Sequence, residues 1–118
     1  MVQWITRVLG LSYVGAPADW NRIAHVAVAP PKGRLRVDLD IGNGLCFVKL
    51  KSPLVDIRVF RWTLEFADGS IQDLSVGCLL AGTESRPMPV AGRRLKGMVV
   101  DYEMARGSRR GRLESWAR

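Results

Sequence analysis

Three groups of residues in the 118-residue chain have types and spacings that could do chemistry: alternating carboxylates, one histidine, and clustered arginines. Asp38-x-Asp40-x-Gly42-Asn43-Gly44 has the opening rhythm of a calcium loop, in which carboxylates at alternate positions approach one cation. Such a loop needs an oxygen ligand fifth and a glycine sixth, where Gly42 and Asn43 stand, and no acid from Leu45 to Lys51 closes it. The two aspartates therefore read as strand carboxylates pairing with Arg34, Arg36 or a neighbouring strand. His25 with Cys46 and Cys78 lacks the spacing of a zinc set, so neither a metal nor another cofactor is expected. No Gly-x-Ser-x-Gly surrounds a serine, and no glycine-rich phosphate loop opens a helix. A glycosidase-like carboxylate pair can be drawn from Asp38, Asp40, Asp56 or Asp101, but any β protein with eleven acids offers such pairs. The expectation is a non-catalytic protein; a hydrolase, the third reading, requires a deep pocket with converging polar groups.

The basic residues are more suggestive. Ala105-Arg106-Gly107-Ser108-Arg109-Arg110-Gly111-Arg112 joins the last two strands, and Arg93, Arg94 and Lys96 begin the strand before. Guanidinium groups pair with phosphate or carboxylate in a bidentate way, so a glycine-flexed arginine loop could clamp a polyanion. The candidate polyanion-binding residues are thus Arg93, Arg94, Lys96, Arg106, Arg109, Arg110 and Arg112. The competing reading is a solvated hairpin tip that keeps the protein soluble. A formal charge of +7 and an isoelectric point near 10.3 mean a surface that attracts phosphate, anionic lipid or acidic protein. No stacking motif for single-stranded nucleic acid lies beside the loop, because Trp116 and Tyr102 fall inside strands and read as core.

The elements that must position these groups are strands. With 47% apolar and 25% charged residues the composition is that of a folded globular domain. From Asn21 onward short alternating runs are punctuated by Gly, Pro and Asp. In Arg34 to Ile41, Leu35, Val37, Leu39 and Ile41 share one face, the pattern of a half-buried strand. Ile23 to Ala29 precedes it, and Ile41-Gly42-Asn43-Gly44 leads into Leu45 to Lys51 by what reads as a tight hairpin. In Val55 to Phe66 the apolar phase changes between Ile57 and Phe60, so a β-bulge near Arg58-Val59 is expected to bury Phe60, Trp62, Leu64 and Phe66 together. The next turn, Ala67-Asp68-Gly69, is expected to be a three-residue loop with Gly69 left-handed, setting Leu74 opposite Trp62. Later strands are Arg86 to Val90, at an edge because Pro87 and Pro89 cannot donate ladder bonds, then Leu95 to Met104 and Arg112 to Ala117. Roughly eight short strands predict an all-β antiparallel sandwich, jelly-roll-like, with a partly open barrel second.

Residues 1–19 precede this single domain at 20–118. Trp4, Ile5, Val8, Leu9 and Leu11 recur at helical spacing, which suggests a short N-terminal helix. The alternative is a weak signal-like segment ending at Ala16-Pro17-Ala18. No run approaches the ~20 apolar residues of a membrane span. The cysteines sit in apolar runs and read as buried thiols, with a disulfide as the alternative.

Residues Phe66 to Val76, Ala81-Gly82 with Ser85-Arg86, Gly92-Arg93-Arg94-Leu95, Tyr102 and Arg112-Leu113-Glu114-Ser115-Trp116 carry a resemblance. From about Trp20 onward the chain resembles an uncharacterised bacterial β-sandwich domain of unknown function, common in small exported or envelope-associated proteins. The resemblance implies the sandwich fold and a periplasmic or secreted location, while the residues alone leave the cytoplasm open. Pro87 and Pro89 depart from the more regular strand of that domain. The leading expectation is a non-catalytic module that binds another macromolecule or an envelope polymer. The alternative is a polyanion or nucleic-acid binder using the arginine loop.

Overall fold

A strand whose apolar residues recur at every second position buries one face, and repetition of that pattern gives eleven strands among the described residues of the computed structural model. It describes residues 2–8 (as backbone), 20–28, 31–42, 44–90, 92–108 and 110–118. The strands are β1 (Val2–Val8), β2 (Asn21–Val28), β3 (Lys32–Ile41), β4 (Phe47–Ser52), β5 (Ile57–Phe66) and β6 (Ile71–Leu74). They continue with β7 (Gly77–Leu79), β8 (Thr83–Glu84), β9 (Met88–Pro89), β10 (Leu95–Met104) and β11 (Gly111–Ala117). Sheet A has the order β1-β3-β10-β5-β6, with β7 also on β5. Sheet B has the order β2-β11-β4-β8, with β9 also on β4. With β6/β7 and β8/β9 taken as interrupted edge strands, the chain from β2 onward changes sheet at every step but β5 to β6, the order of an eight-stranded jelly roll. The expected sandwich is therefore present.

Three local expectations change. Val2–Val8 is a strand rather than a helix, paired parallel to β3 from Val2 opposite Arg34 to Val8 opposite Leu39. Its Val-x-Trp-x-Thr-x-Val alternation and β-branched content outweigh the helical spacing. Residues 9–19, with the signal-like Ala16-Pro17-Ala18, lie outside the described residues. Secondly, β3 and β4 do not form a hairpin, nor do β10 and β11. Each pair crosses between sheets, so the loop after Ile41 and the arginine loop are arches. Leu45, 2% exposed, buries the first corner. At the second, a Cβ on Gly111 would stand 2.8 Å from Met104 Sδ and 3.0 Å from Val55 Cγ2. Thirdly, the bulge in β5 falls at Phe60-Arg61. Asp101 faces Arg61 while Tyr102 faces Val59, which leaves Phe60 as the extra residue. Val59 is consequently buried and Phe60 is 52% exposed.

The hairpin register is as expected. Trp62 faces Leu74 and Leu64 faces Gln72, and Gly69 has φ of 87°. Gly69 N–H donates to Phe66 O at 3.0 Å and Phe66 N–H to Ser70 O at 2.9 Å. Asp68 Oδ1 accepts the Ser70 amide at 2.9 Å and its hydroxyl. These bonds, hydroxyl first, hold the Asp68 carboxyl below the usual carboxylate range. Met88–Pro89 lies at the sheet B edge, where a missing donor costs no ladder bond.

The core lies between the sheets, with Trp62 and Tyr102 the largest fully buried side chains. Trp62 Nε1–H donates to Met98 Sδ at 3.1 Å, and burial pushes the Tyr102 phenol up. Among the described residues, no helix is long and apolar enough to cross a membrane. Both cysteines are exposed and unbridged, which corrects the buried-thiol expectation. Cys78 faces Arg58 at the sheet A edge, in register with Val59 opposite Gly77. Cys46 lies just before β4 of sheet B.

Candidate functional site

The structure does not gather the sequence-selected cations at one place. β10 is ten residues long, about 30 Å of extended chain. Arg93, Arg94 and Lys96 stand at its beginning, whereas Arg106, Arg110 and Arg112 follow its end. Arg109 lies outside the described residues. Arg94 is engaged by Asp40 at 2.6 Å, and Arg93 by Asp68 at 3.4 Å and Ser70 Oγ at 2.8 Å. Those two arginines brace the β3–β4 arch and the β5–β6 turn. Lys96, Arg106, Arg110 and Arg112 are exposed.

The outer face of sheet A balances its charges across the strands. Arg34 reaches Asp101 at 2.7 Å, and this hydrogen bond and charge raise the guanidinium above its ordinary pKa. Lys32 lies 3.6 Å from Glu103, and Thr63 Oγ1 donates to Asp73 at 2.6 Å. Arg36 meets Asp38 at 3.5 Å and Glu65 at 2.6 Å. The Arg36–Glu65 pair joins β3 to β5 across the intervening β10, passing over Gly97, which faces both Asp38 and Glu65. A Cβ at Gly97 would lie 3.1 Å from Glu65 Oε1 and 3.2 Å from Val37 O. The carboxylates of the calcium-like loop are thus spent on arginines, as the strand reading required.

The outer face of sheet B is different. Its outward positions carry Arg22, Lys49, Lys51, Arg112 and Arg118 against Glu84 and Glu114, with Trp20, Trp116 and Phe47 among them. The register sets Trp116 between Arg22 of β2 and Lys49 of β4. Arg118 closes β11 onto β4 by a reciprocal backbone pair with Phe47, 3.0 Å each way. Its guanidinium lies 5.0 Å from the Trp20 ring centre and 5.4 Å from that of Phe47. Lys49 Nζ is 4.2 Å from the Trp20 ring centre and 3.0 Å from Glu84 Oε1. Glu114, 8% exposed, takes Arg22 at 3.6 Å and Trp116 Nε1–H at 3.2 Å. Lys51 and Arg112 carry no ion pair among the described residues. His25 is exposed here, opposite Glu114.

An open groove of about 430 Å³ lies between the sheet edges, lined by Phe66, Ile71, Gln72, Pro89, Val90 and Arg93. Gln72 bridges the edges by donating to Pro89 O at 3.0 Å. The lining contains no carboxylate, histidine or cysteine, so its chemistry is contact and hydrogen bonding. Asp38, Asp40, Asp56 and Asp101 do not line it. Asp56 Oδ1 instead accepts the Ala81 amide at 2.7 Å.

No family model matches the chain, and no curated protein matches it.

What the sheet B face offers is cationic hydrogen-bond donors beside half-buried rings. Of its residues, sequence reasoning selected Arg112 alone. Trp116 is not core: it stands in phase with Arg112 and Glu114, while Leu113, Ser115 and Ala117 turn inward and are buried. That phase was readable in the sequence, as was Phe47-x-Lys49-x-Lys51. The contribution of Arg22 and Trp20 needed the strand order, because nothing local places β2 beside β11.

Proposed function

We propose that the protein is a non-catalytic β-sandwich binding module that holds an anionic macromolecule on the outer face of sheet B. The observation that carries this is the uneven placement of charge. On sheet A, Lys32, Arg34 and Arg36 each meet a carboxylate of another strand, which leaves Arg58 and Arg61 as exposed cations on β5. On sheet B, the cations outnumber Glu84 and Glu114: Lys51 lies in register between these two acids, and among the described residues neither it nor Arg112 carries an ion pair. The excess of +7 thereby has a place where it can collect phosphate, sulfate or carboxylate groups. Arg112 stands on β11 of this sheet, so one residue of the arginine loop belongs to this surface.

The test is binding to heparin at low salt by the wild type and two double variants. Lys51→Ala with Arg112→Ala should weaken binding about tenfold and flatten the salt dependence by about one unit of log–log slope per cation removed. Arg58→Ala with Arg61→Ala, on sheet A, should leave both nearly unchanged. Undetectable binding by the wild type, or equal losses in the two variants, would overturn the proposal.

A further inference from the structure

We infer that the ligand of the sheet B face is single-stranded nucleic acid, its bases stacking on Trp116, Trp20 and Phe47 while Lys51, Arg112 and Arg118 take its phosphates. This rests on the reading of that face as anion-binding and adds the class of anion. A plain polyanion site needs only cations, yet here the rings and cations interleave: Trp116 stands between Arg22 and Lys49 across three strands, and Arg118 is flanked by Trp20 and Phe47. Sequence-tolerant single-strand binders combine these two features, a basic track and ring faces on which successive bases stack.

One present partner of the rings is exchangeable. Arg118 lies against Trp20 and Phe47 by cation–π contact, which a stacked base can replace, whereas Lys49, its side chain 12% exposed, stays with Glu84. A strand arriving on the face supplies both halves of the exchange, with a phosphate for Arg118 and a base for the ring face it leaves. Duplex DNA hides its base faces in its own stack and can use only the cations. A neutral glycan would use the rings but not the cations. Both acids on the face, Glu84 and Glu114, are held by Lys49 and by Arg22 with Trp116, so neither is left to accept a sugar hydroxyl or a peptide cation.

The experiment titrates a short labelled oligodeoxythymidylate, the same sequence as a duplex, and heparin, each by fluorescence anisotropy at low salt. The variants are Trp116→Ala, Trp116→Phe and Phe47→Ala, with folding checked by urea midpoint. The inference expects the single strand to bind tighter than the duplex. It also expects Phe47→Ala and Trp116→Ala to weaken the single strand about tenfold with heparin unchanged, and Trp116→Phe to restore most of the loss. Equal affinity for all three anions, or ring variants that weaken heparin as much as the oligonucleotide, would overturn the base-stacking inference and leave the anion-binding face standing. Failure of the wild type to bind any of the three would sink the anion-binding reading and this inference with it. If Trp116→Ala does not fold, Phe47→Ala decides.

Discussion

Gly97 should be needed because an ion pair passes over it. The added methyl of Gly97→Ala would sit 3.1 Å from Glu65 Oε1 and 3.2 Å from the Val37 carbonyl, both tighter than ordinary contact. The side chains of the Arg36–Glu65 pair are 22% and 23% exposed, so neither can swing fully into solvent without losing partial burial. Overpacking of this kind costs about 1–3 kcal/mol, and we expect about 2 kcal/mol for Gly97→Ala. Glu65→Ala should cost about 1 kcal/mol, since Arg36 keeps Asp38 at 3.5 Å. In the double variant the methyl occupies space the carboxylate has left, and only the Val37 carbonyl still crowds it. The two losses should therefore be subadditive by about 1 kcal/mol. Urea unfolding followed by tryptophan fluorescence measures all four proteins, and for a chain of this size each kcal/mol corresponds to about 4 °C in Tm. Additivity within about 0.3 kcal/mol, or a Gly97→Ala variant as stable as wild type, would refute the shared-space argument.

Other outcomes follow from single groups. Ser115 Oγ is buried without a hydrogen-bond partner among the described residues, so Ser115→Ala should stabilise the protein by about 1 kcal/mol in urea unfolding; a loss of stability would contradict this. Asp68 has a folded pKa below its ordinary 3.8, so the folded state binds that proton more weakly than the unfolded chain. Its stabilisation is complete above 3.8 and is lost as the pH falls through the lower folded value. The urea-midpoint gap between wild type and Asp68→Asn should close over that range, and a gap independent of pH would contradict the assignment. Cys46 and Cys78 are free and exposed, so a thiol reagent should titrate both without denaturant; protection of either until unfolding would contradict the structure.

Legibility in the sequence followed locality. The strand Arg34 to Ile41, the Trp62–Leu74 register and the proline-marked edge came from short-range rules of alternation and turn chemistry, and the structure repeats them. The bulge in β5 was readable as a need, but its position was not: two phases must be reconciled somewhere between Ile57 and Trp62, and only the pairing with Asp101 and Tyr102 chooses Phe60. The hairpins assumed after Ile41 and after Met104 failed because a glycine-rich loop can close a hairpin or arch between sheets, and long-range pairing decides. Site reasoning failed in the same way. Clustering along the sequence favoured Arg93, Arg94 and Lys96 with the arginine loop, although an extended strand holds them apart. The rings and cations of sheet B are dispersed in sequence and meet only through the order β2-β11-β4.

The central claim is that the outer face of sheet B is where the protein binds. Backbone amide chemical shifts recorded while a short oligodeoxythymidylate is added at low salt test it directly. The account predicts that the perturbed amides fall on β2, β11 and β4, centred on Trp116, Lys49 and Arg118, with β3, β10 and β5 unmoved. Perturbations centred on the outer face of sheet A, or on Arg93 and Arg94, would contradict it.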